Sequence, residues 1–348
     1  MLEAIRNNVG EWLRGGPQSD VVMSSRVRLA RNIAGYPFLA RSNAQDMARI
    51  EELLHNKIVS VSVRSDMVYV RLDTMSAFDR QLLVERHITA REHAEAPWVR
   101  GVAFDSKEEL CLMVNEEDHL RMHALCGGFD LGRAFRDVCQ ADDAMAEVIP
   151  YAFSERYGYL TACPSNVGTG MRASAMCHLP ALVMAGEMDK VIQLAGRRRL
   201  ALRGRFGEGT HASADLYQVS NQITLGLKEE EILATVSEAV EALVGLEKRT
   251  REELVGRNRQ ELKGRLDLAL ELLGAASSIT SEEALHLLSQ VRLGVATGLV
   301  SGVTQQVLSE LLLLTLPAHL QRIEGRRVDS RERNELRASY IKRRLGLN

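Results

Sequence analysis

SSRVRLAR, residues 24–31, is the segment on which both the fold and the chemistry depend. Its alternation predicts a β-strand with Arg26 and Arg28 on one face and Val27 on the other. Two guanidinium groups side by side repel each other unless an anion lies between them. A polyphosphate suits that geometry, because each arginine can bind two oxygens. Taken alone, the segment is also compatible with a solvated basic edge strand.

An acidic segment, NEEDHLR at residues 115–121, directly follows the apolar run ELCLMV at 109–114. Three adjacent acids at the end of a predicted strand concentrate negative charge in a position where active sites often lie. We therefore regard them as candidate functional carboxylates, with an acidic surface loop as the alternative.

A cysteine-containing segment, TACPSNVGTGMR, spans residues 161–172. It places Cys163 at the end of a predicted strand, before a glycine-containing loop and an arginine. Such loops can present backbone N–H groups to an anion, and a neighbouring arginine favours a reactive thiol. A buried, inert cysteine is the alternative.

Two more segments carry arginines. RGRFGEGTH, residues 203–211, alternates polar side chains with glycines, which predicts a loop that could close over a ligand; a tight surface turn is the alternative. RNELRA, residues 333–338, would place Arg333 and Arg337 on one helical face. By spacing alone, this last segment is a solvated basic helix.

The first four segments together supply many arginines, at least two carboxylates and one thiol. Arginines and a metal ion would neutralise a triphosphate and the charge that develops during transfer. Carboxylates would hold a guanidinium group and accept the proton that it hardly releases unaided. The combination predicts transfer of a phosphoryl group to a guanidinium.

Composition and missing motifs narrow the alternatives. The formal net charge of −2 argues against a nucleic-acid partner. We expect no secretory signal and no membrane span, because the chain has no apolar run of the required length. Five cysteines without a CxxC pair argue against disulfides or zinc and favour the cytoplasm. The chain lacks GxxxxGK[ST], GxGxxG and the VAIK, HRD and DFG motifs, so a nucleotide must be held in another way.

The pattern of elements predicts an N-terminal segment at residues 1–20, an α+β catalytic domain at 21–250 and a helical domain at 251–348. DMARIEELLHNKI (46–58) has helical periodicity, whereas MVYVRLD (67–73), ELCLMVN (109–115) and YGYLTACP (157–164) are β-rich. From about Lys228 onward only helical patterns occur. LSELLLLTLPAHL (308–320) is expected to be a buried helix ending at Pro317, and Thr280 with Glu283 predicts a capping box.

Taken in order, SSRVRLAR, NEEDHLR, CPSNVGTGMR and RGRFGEGT resemble the signatures of phosphagen kinases, over about residues 20–245. The resemblance implies an antiparallel sheet surrounded by helices, as in the catalytic domain of glutamine synthetase, here followed by an all-α C-terminal domain. Members that act on free guanidino compounds carry a helical domain before the first motif, but only 23 residues precede Ser24 here. Together with the C-terminal helices, this is similar to the protein arginine kinases of bacteria, which use ATP to phosphorylate arginine on proteins.

The resemblance also implies roles for individual residues. Glu117 would orient the acceptor and serve as its base, Glu208 would be a second carboxylate on the guanidinium, and Cys163 would pair with it as a thiolate. Mg²⁺ would bridge the phosphates of ATP, with no residue assigned as a metal ligand. The residues expected to bind ATP are Ser24, Ser25, Arg26, Val27, Arg28, His87, Arg121, Arg172, Ala173, Ser174, Ala175, Met176, Arg203, Gly204, Arg205, Phe206, Gly207 and Glu208.

The C-terminal RNELRA resembles the RDxxRA motif with which the arginine kinases bind phosphoarginine. This implies a site at Arg333, Asn334 and Arg337, with Asn334 in place of the aspartate. Arg205 and His211 depart from the family pattern in the loop at 203–211 and bear on turnover and acceptor preference.

Partners follow from the resemblance alone: a homodimer, a zinc-containing activator protein, and delivery of marked proteins to a Clp chaperone-protease for degradation. Two other functions stay open. One is a kinase for a free guanidino metabolite, against which the missing N-terminal domain argues. The other is a catalytically inactive adaptor that binds phosphoarginine, against which the full set of arginines and acids argues.

Overall fold

The computed structural model describes residues 9–204 and 213–347. Within them the strands are β1 (Val22–Arg31), β2 (Val68–Arg71), β3 (Gly101–Phe104), β4 (Leu110–Val114), β5 (Leu120–Gly127), β6 (Phe153–Ser154), β7 (Gly158–Tyr159), β8 (Met171–His178), β9 (Leu200–Gly204) and β10 (Leu216–Asn221). The helices are α1 (Ala44–Val61), α2 (Ala77–Glu85), α3 (Arg91–Glu95), α4 (Leu131–Ala146), α5 (Pro180–Met184), α6 (Met188–Arg197), α7 (Glu229–Ala275), α8 (Ser281–Ala296), α9 (Gln305–Leu314), α10 (Pro317–Glu324) and α11 (Ser330–Leu345).

Eight of the described strands form one antiparallel sheet in the order β2-β3-β4-β5-β1-β8-β10-β9. The SSRVRLAR segment is the central strand β1, between β5 and β8. Val27 and Leu29 are fully buried in a core shared with α1, α4 and the first part of α7. Because side chains alternate along a strand, Arg26 and Arg28 project from the opposite face. The α+β fold with a helical C-terminal region is therefore confirmed.

The helix α7 continues across the position where the sequence analysis divides the domains. It has a non-helical residue at Asn258 (φ −145°, ψ 51°). Its apolar residues up to Leu246 pack in the core of the sheet, and those from Leu254 onward pack in the core of the C-terminal helices. α8 begins with the predicted capping box, in which Glu283 N donates to Thr280 Oγ1 at 3.2 Å.

The helical region packs directly on the sheet. Met23 of β1 and Leu216 of β10 belong to its apolar core. A buried polar chain crosses the same junction: Ser289 Oγ of α8 donates to Asp215 Oδ2 at 2.6 Å, and His178 Nε2 at the end of β8 lies 2.8 Å from the same hydroxyl. Because the hydroxyl proton is already directed at Asp215, His178 Nε2 is the donor in the second contact.

Two predicted elements differ from the structure. YGYLTACP contains only the short strand β7, because its backbone turns back at Gly158 (φ 72°) to exchange hydrogen bonds between Tyr159 and Gly168. Cys163 therefore follows a loop and precedes a 3₁₀ turn at Pro164–Asn166 instead of ending a strand. In LSELLLLTLPAHL the first helix ends at Leu314, and Pro317 begins α10, a position that suits proline.

Among the described residues, no helix is both long enough and apolar enough to span a bilayer.

Candidate active site

Arg26 and Arg28 of β1 line a cleft of about 1030 Å³ on the open face of the sheet, together with residues of neighbouring elements. Arg28 lies directly opposite His123 of β5 on one side and Arg172 of β8 on the other. Arg26, Arg121 and Arg203 line the same cleft. The sheet thus brings together five of the six arginines that were expected to bind ATP; the sixth, Arg205, lies outside the described residues.

This cluster carries more positive charge than its surroundings neutralise. Burial, then Arg121 and Arg172, lower the pKa of Arg26 to about 10. Burial and the same neighbours, together with Arg26, hold the pKa of Arg28 well below its usual range. Arg28 Nε and both ring nitrogens of buried His123 have no hydrogen-bond partner among the described residues. Guanidinium groups in this condition favour a polyanion between them.

The NEED segment forms a tight turn after β4. Asn115 adopts a left-handed conformation (φ 59°), which asparagine tolerates better than most residues. Its Nδ2 donates to Met47 O at 2.9 Å and to Val99 O at 3.0 Å. The turn is therefore fixed to α1 and to the segment before β3.

The three acids of this turn have different environments. Glu116 pairs with Arg121 at 2.5 Å and accepts from the backbone N–H of Glu117 at 2.8 Å. Asp118 is buried and accepts from Asn32 Nδ2 and from the backbone N–H of Ala162, each at 2.6 Å. Of these three acids, only Glu117 is exposed to solvent.

Asp118 ties the acidic turn to the loop that carries Cys163, because Ala162 immediately precedes that cysteine. Burial, then Asp118 and Glu116, raise the pKa of Glu117, while a hydrogen bond with Cys163 acts in the opposite sense. Cys163 Sγ also lies 3.0 Å from Ser165 Oγ. Glu117 and Cys163, far apart in sequence, are thus neighbours beside the arginine cluster.

Arg31 braces the cysteine loop and was not selected from the sequence. Its guanidinium pairs with Asp142, donates to Thr169 O at 2.9 Å and lies over the Tyr159 ring, 3.5 Å from the centroid. It is 1% exposed. Its position in the SSRVRLAR motif could have marked Arg31 as a functional residue, but no local pattern identifies Asp142 as its partner.

The expected nucleotide-binding residues on β1 and β8 divide by face. Ser24, Ser174 and Met176 line a smaller cavity of about 130 Å³ that shares Arg26 and His87 with the main cleft. Ser25, Val27, Ala173 and Ala175 are fully buried on the other side of the sheet, and Ser25 Oγ donates to Gly128 O at 2.9 Å. These four side chains do not line the cleft.

His87, which the resemblance predicts to bind ATP, lies in the wall of both cavities. It has a positive φ of 61°, and its ring meets Trp12 edge to face at 5.3 Å between centroids. Gly204 also lines the cleft. Arg205, Phe206, Gly207, Glu208 and His211 lie outside the described residues.

The C-terminal segment has a different arrangement from the expected pair of free arginines. Arg337 is 1% exposed and donates to three acceptors: Thr315 O (2.8 Å), Ile279 O (2.8 Å) and Asn334 Oδ1 (2.7 Å). Arg333 is half-buried and donates to Val328 O and Ser330 Oγ. The two side chains share a helix but point to different surroundings, because the Arg337 side chain is part of the packing.

Over residues 9–204 and 213–347, no group of three or more histidine, cysteine, aspartate and glutamate side chains is placed to hold a metal ion.

Comparison with known proteins identifies the class. The family model "ATP:guanido phosphotransferase, C-terminal catalytic domain" matches residues 49–250, more than half of the chain. The chain therefore belongs to the ATP:guanido phosphotransferases, the phosphagen kinase family that the motifs indicated. A second model, "Protein-arginine kinase McsB C-terminal domain", matches residues 259–348.

Proteins named protein-arginine kinase match along nearly their whole length, which places the chain in that branch of the family. The one from Halothermothrix orenii is 38% identical over 350 residues, covering 100% of this chain and 99% of the relative. The one from Symbiobacterium thermophilum is 40% identical over 347 residues, covering 99% and 98%.

Solved structures share the catalytic fold. A duplicated taurocyamine kinase from Schistosoma mansoni has a TM-score of 0.60 and 28% identity over 66% of this chain, which spans only 33% of that longer protein. A lombricine kinase has a TM-score of 0.57 and 25% identity, covering 71% of this chain and 70% of its own. The expected phosphagen kinase fold and the class of enzyme, a guanidino phosphotransferase that uses ATP, are confirmed.

Proposed function

We propose that this protein transfers the γ-phosphoryl group of ATP to arginine side chains of proteins. The observation that carries the proposal is the 2.6 Å hydrogen bond from the backbone N–H of Ala162 to Asp118, which brings the Cys163 loop next to the turn of Glu117, on the same sheet as the arginine cluster. The arginine cluster would bind the anionic donor, ATP. Glu117 and Cys163, beside it, would bind the cationic acceptor, an arginine guanidinium.

The cleft fits ATP by its size and by its charge. Its volume of about 1030 Å³ is at the upper end of that of ligand sites. Arg28 and Arg172, opposed across two strands, can each take two phosphate oxygens, which would relieve their mutual repulsion. We propose Mg²⁺ as the metal that accompanies ATP; bound to the phosphates, it would neutralise charge that develops in transfer.

Glu117 is the proposed base of the reaction. A bond forms between a guanidinium nitrogen and the γ-phosphorus, while the bond from that phosphorus to the bridging oxygen breaks and its electron pair leaves with ADP. The nitrogen loses a proton, which Glu117 accepts. Its raised pKa makes the carboxylate a stronger base than an ordinary glutamate, although still a weak one for this acid. Placement therefore matters more than basicity.

Cys163 is proposed to hold the acceptor guanidinium against Glu117 as a thiolate. The loop that carries it is held at both ends, by Asp118 at Ala162 and by Arg31 at Thr169. A rigid loop keeps the reacting nitrogen in line with the γ-phosphorus. A second carboxylate at Glu208 rests on the sequence resemblance.

The choice of a protein acceptor rests on the relatives. Those named protein-arginine kinase match at full length with 38% and 40% identity, whereas the taurocyamine and lombricine kinases match at 28% and 25% over part of the chain. A comparison of kcat/KM for an unfolded protein with that for free arginine, taurocyamine and lombricine tests this choice. A free guanidino compound used as well as the protein would favour a metabolite kinase.

The remaining features are proposed on the resemblance alone. They are a second site for phosphoarginine at Arg333, Asn334 and Arg337, a homodimer, a zinc-containing activator protein and delivery of marked proteins to a Clp chaperone-protease in the cytoplasm. The packing of Arg337 refines the second site: Arg333 would contact the phosphate, while Arg337 would orient Asn334 through its 2.7 Å hydrogen bond.

A further inference from the structure

The C-terminal helical region forms part of the wall of the arginine-lined cleft. Leu316 and Pro317, at the start of α10, line the cleft beside Glu85 and His87. The smaller adjoining cavity is lined by Ser309, Leu312 and Leu313 of α9. The cleft is therefore built from both parts of the chain.

The two parts are joined at this wall by the carboxylate of Glu85, the last residue of α2. It accepts from the backbone N–H of Ala318 (2.9 Å), from the backbone N–H of His319 (3.1 Å) and from His319 Nδ1 (2.9 Å). The Glu85 side chain is 9% exposed and that of His319 is 4% exposed. These contacts are shielded from water, and charge-assisted hydrogen bonds are strong in such an environment.

Glu85 caps the N-terminus of α10, which has no capping side chain of its own. The residue before the helix, Leu316, has no side-chain acceptor, and Pro317 occupies the first turn. The free N–H groups at a helix start attract a carboxylate, which is normally supplied from within the same segment. Here it comes from a residue more than two hundred positions earlier in the chain.

A tight, hydrogen-bonded turn connects Glu85 to His87. After α2 the chain closes tightly, with His87 N donating to Val84 O at 3.0 Å and Ile88 N to Leu83 O at 3.0 Å. Arg86, between the two residues, forms a buried ion pair with Glu108. His87 itself is held in a left-handed conformation. A shift of α10 would therefore move His87 and the cleft wall together.

The α9–α10 junction is also held from its other side, where Arg337 donates to Thr315 O at 2.8 Å. The three residues from Thr315 to Pro317 thus lie between Glu85 of the catalytic part and Arg337 of α11. This arrangement leaves the junction little freedom relative to the cleft.

We infer that Glu85 is a positioning residue through which the helical domain sets the affinity of the cleft for nucleotide. The inference rests on the proposed function, since it requires the cleft to bind ATP. Glu85 has no assigned part in the transfer step. Its loss should therefore weaken nucleotide binding and leave the chemistry intact once the cleft is saturated.

The test measures binding of Mg·ADP to the full chain by isothermal titration, which is independent of phosphoryl transfer. The variants are Glu85→Ala, which removes the cap, and Glu85→Gln, which keeps an acceptor oxygen but loses the charge. Glu324→Gln is the matched control, an exposed glutamate at the other end of α10. We expect Kd to rise about tenfold for Glu85→Ala, less for Glu85→Gln, and not at all for the control.

Steady-state kinetics supply the second readout. We expect KM for ATP to rise in both Glu85 variants, with KM for the acceptor and kcat at saturating ATP unchanged. A lower melting temperature with an unchanged Kd would reduce Glu85 to a structural role and overturn the inference. If Glu85→Ala does not fold, Glu85→Gln decides in the same way. No ADP binding by the unmodified protein would overturn the proposed function as well, so the two failures are distinguishable.

Discussion

Arg28 and Arg172 lie directly opposite each other on the adjacent antiparallel strands β1 and β8. Like charges in this relationship destabilise a sheet. Burial comes first among the causes that lower the pKa of each, and the Arg172 charge contributes to the shift at Arg28. A polyanion that binds both guanidinium groups would relieve the repulsion between them.

The first prediction is that Arg28→Met stabilises the free protein and abolishes its response to nucleotide. Removing one of two opposed charges should raise the free energy of unfolding by about 1 kcal/mol, or the melting temperature by about 2 °C. Mg·ADP, which should raise the melting temperature of the unmodified protein, should have no effect on the variant. Thermal unfolding with and without Mg·ADP measures both.

Arg41→Met, which removes an exposed arginine, is the control and should alter neither quantity. A destabilised Arg28→Met protein would mean that the contacts of Arg28 outweigh its repulsion, and that the cluster is not strained.

The second prediction concerns the pH dependence of kcat/KM. Because the pKa of Glu117 is raised, the carboxylate is protonated, and inactive as a base, at a higher pH than an ordinary glutamate. Activity should fall as the pH drops through that raised pKa. Glu116→Gln removes a neighbouring negative charge and should move this acid limb to lower pH, whatever it does to KM for ATP through Arg121. An unmoved limb in Glu116→Gln would exclude Glu117 as the titrating group.

The sequence indicated the cleft well because its signal is local. Side chains alternate along the strand SSRVRLAR, so Val27 must lie on the opposite face from Arg26 and Arg28. The burial of Val27 in the core confirms this arrangement. The supporting contacts have no such signal. Asp118 meets Asn32 across 86 positions, Arg31 meets Asp142 across 111, and Glu85 meets His319 across 234. Such pairs are set by topology, which a single sequence does not encode in any periodicity.

The same reasoning explains what was misjudged at the C-terminus. Spacing placed Arg333 and Arg337 on one helical face, but it could not reveal that Thr315 O and Ile279 O would lie within reach of Arg337. Likewise, the sequence predicts a strand up to Cys163. The backbone turn at Gly158 depends on packing against Gly168, which the local pattern does not reveal.

The third prediction tests the polar chain between the sheet and the helical domain. Ser289→Ala leaves the buried His178 and the half-buried Asp215 without their shared partner. A buried polar group left unsatisfied costs about 1–3 kcal/mol, so the free energy of unfolding should fall by that amount. Chemical denaturation measures it, with Ser301→Ala, an exposed serine of the same domain, as the control. Equal stability of the two variants would show that the chain of contacts contributes nothing to the junction.

The fourth prediction separates the two arginines of the C-terminal segment. Arg333→Ala should abolish binding of free phosphoarginine with little change in stability, because its side chain is only half-buried. Arg337→Met should lower the melting temperature, since it leaves two backbone carbonyls and Asn334 Oδ1 without a donor. Calorimetric titration and thermal unfolding of the full chain distinguish the effects. Unchanged phosphoarginine binding by Arg333→Ala would exclude Arg333 from the proposed second site.

In the same titration, Asn334→Asp should bind phosphoarginine more tightly than the unmodified protein. An aspartate accepts charge-assisted hydrogen bonds, worth about 1.5–3 kcal/mol against roughly 1 for neutral ones. It would also strengthen the contact with Arg337. Weaker or equal binding would show that the introduced carboxylate pairs only with Arg337 and does not contact the ligand.

The most direct test of the central claim is detection of the product. The purified protein is incubated with ATP, Mg²⁺ and an unfolded protein, and the products are analysed by mass spectrometry under conditions that preserve acid-labile phosphoarginine. We expect phosphorylated arginine on the acceptor protein, at a rate that falls by about 10²–10⁴-fold in Glu117→Gln. Phosphate on serine, threonine or tyrosine instead, no protein product at all, or equal rates for Glu117→Gln and the unmodified protein would contradict the account.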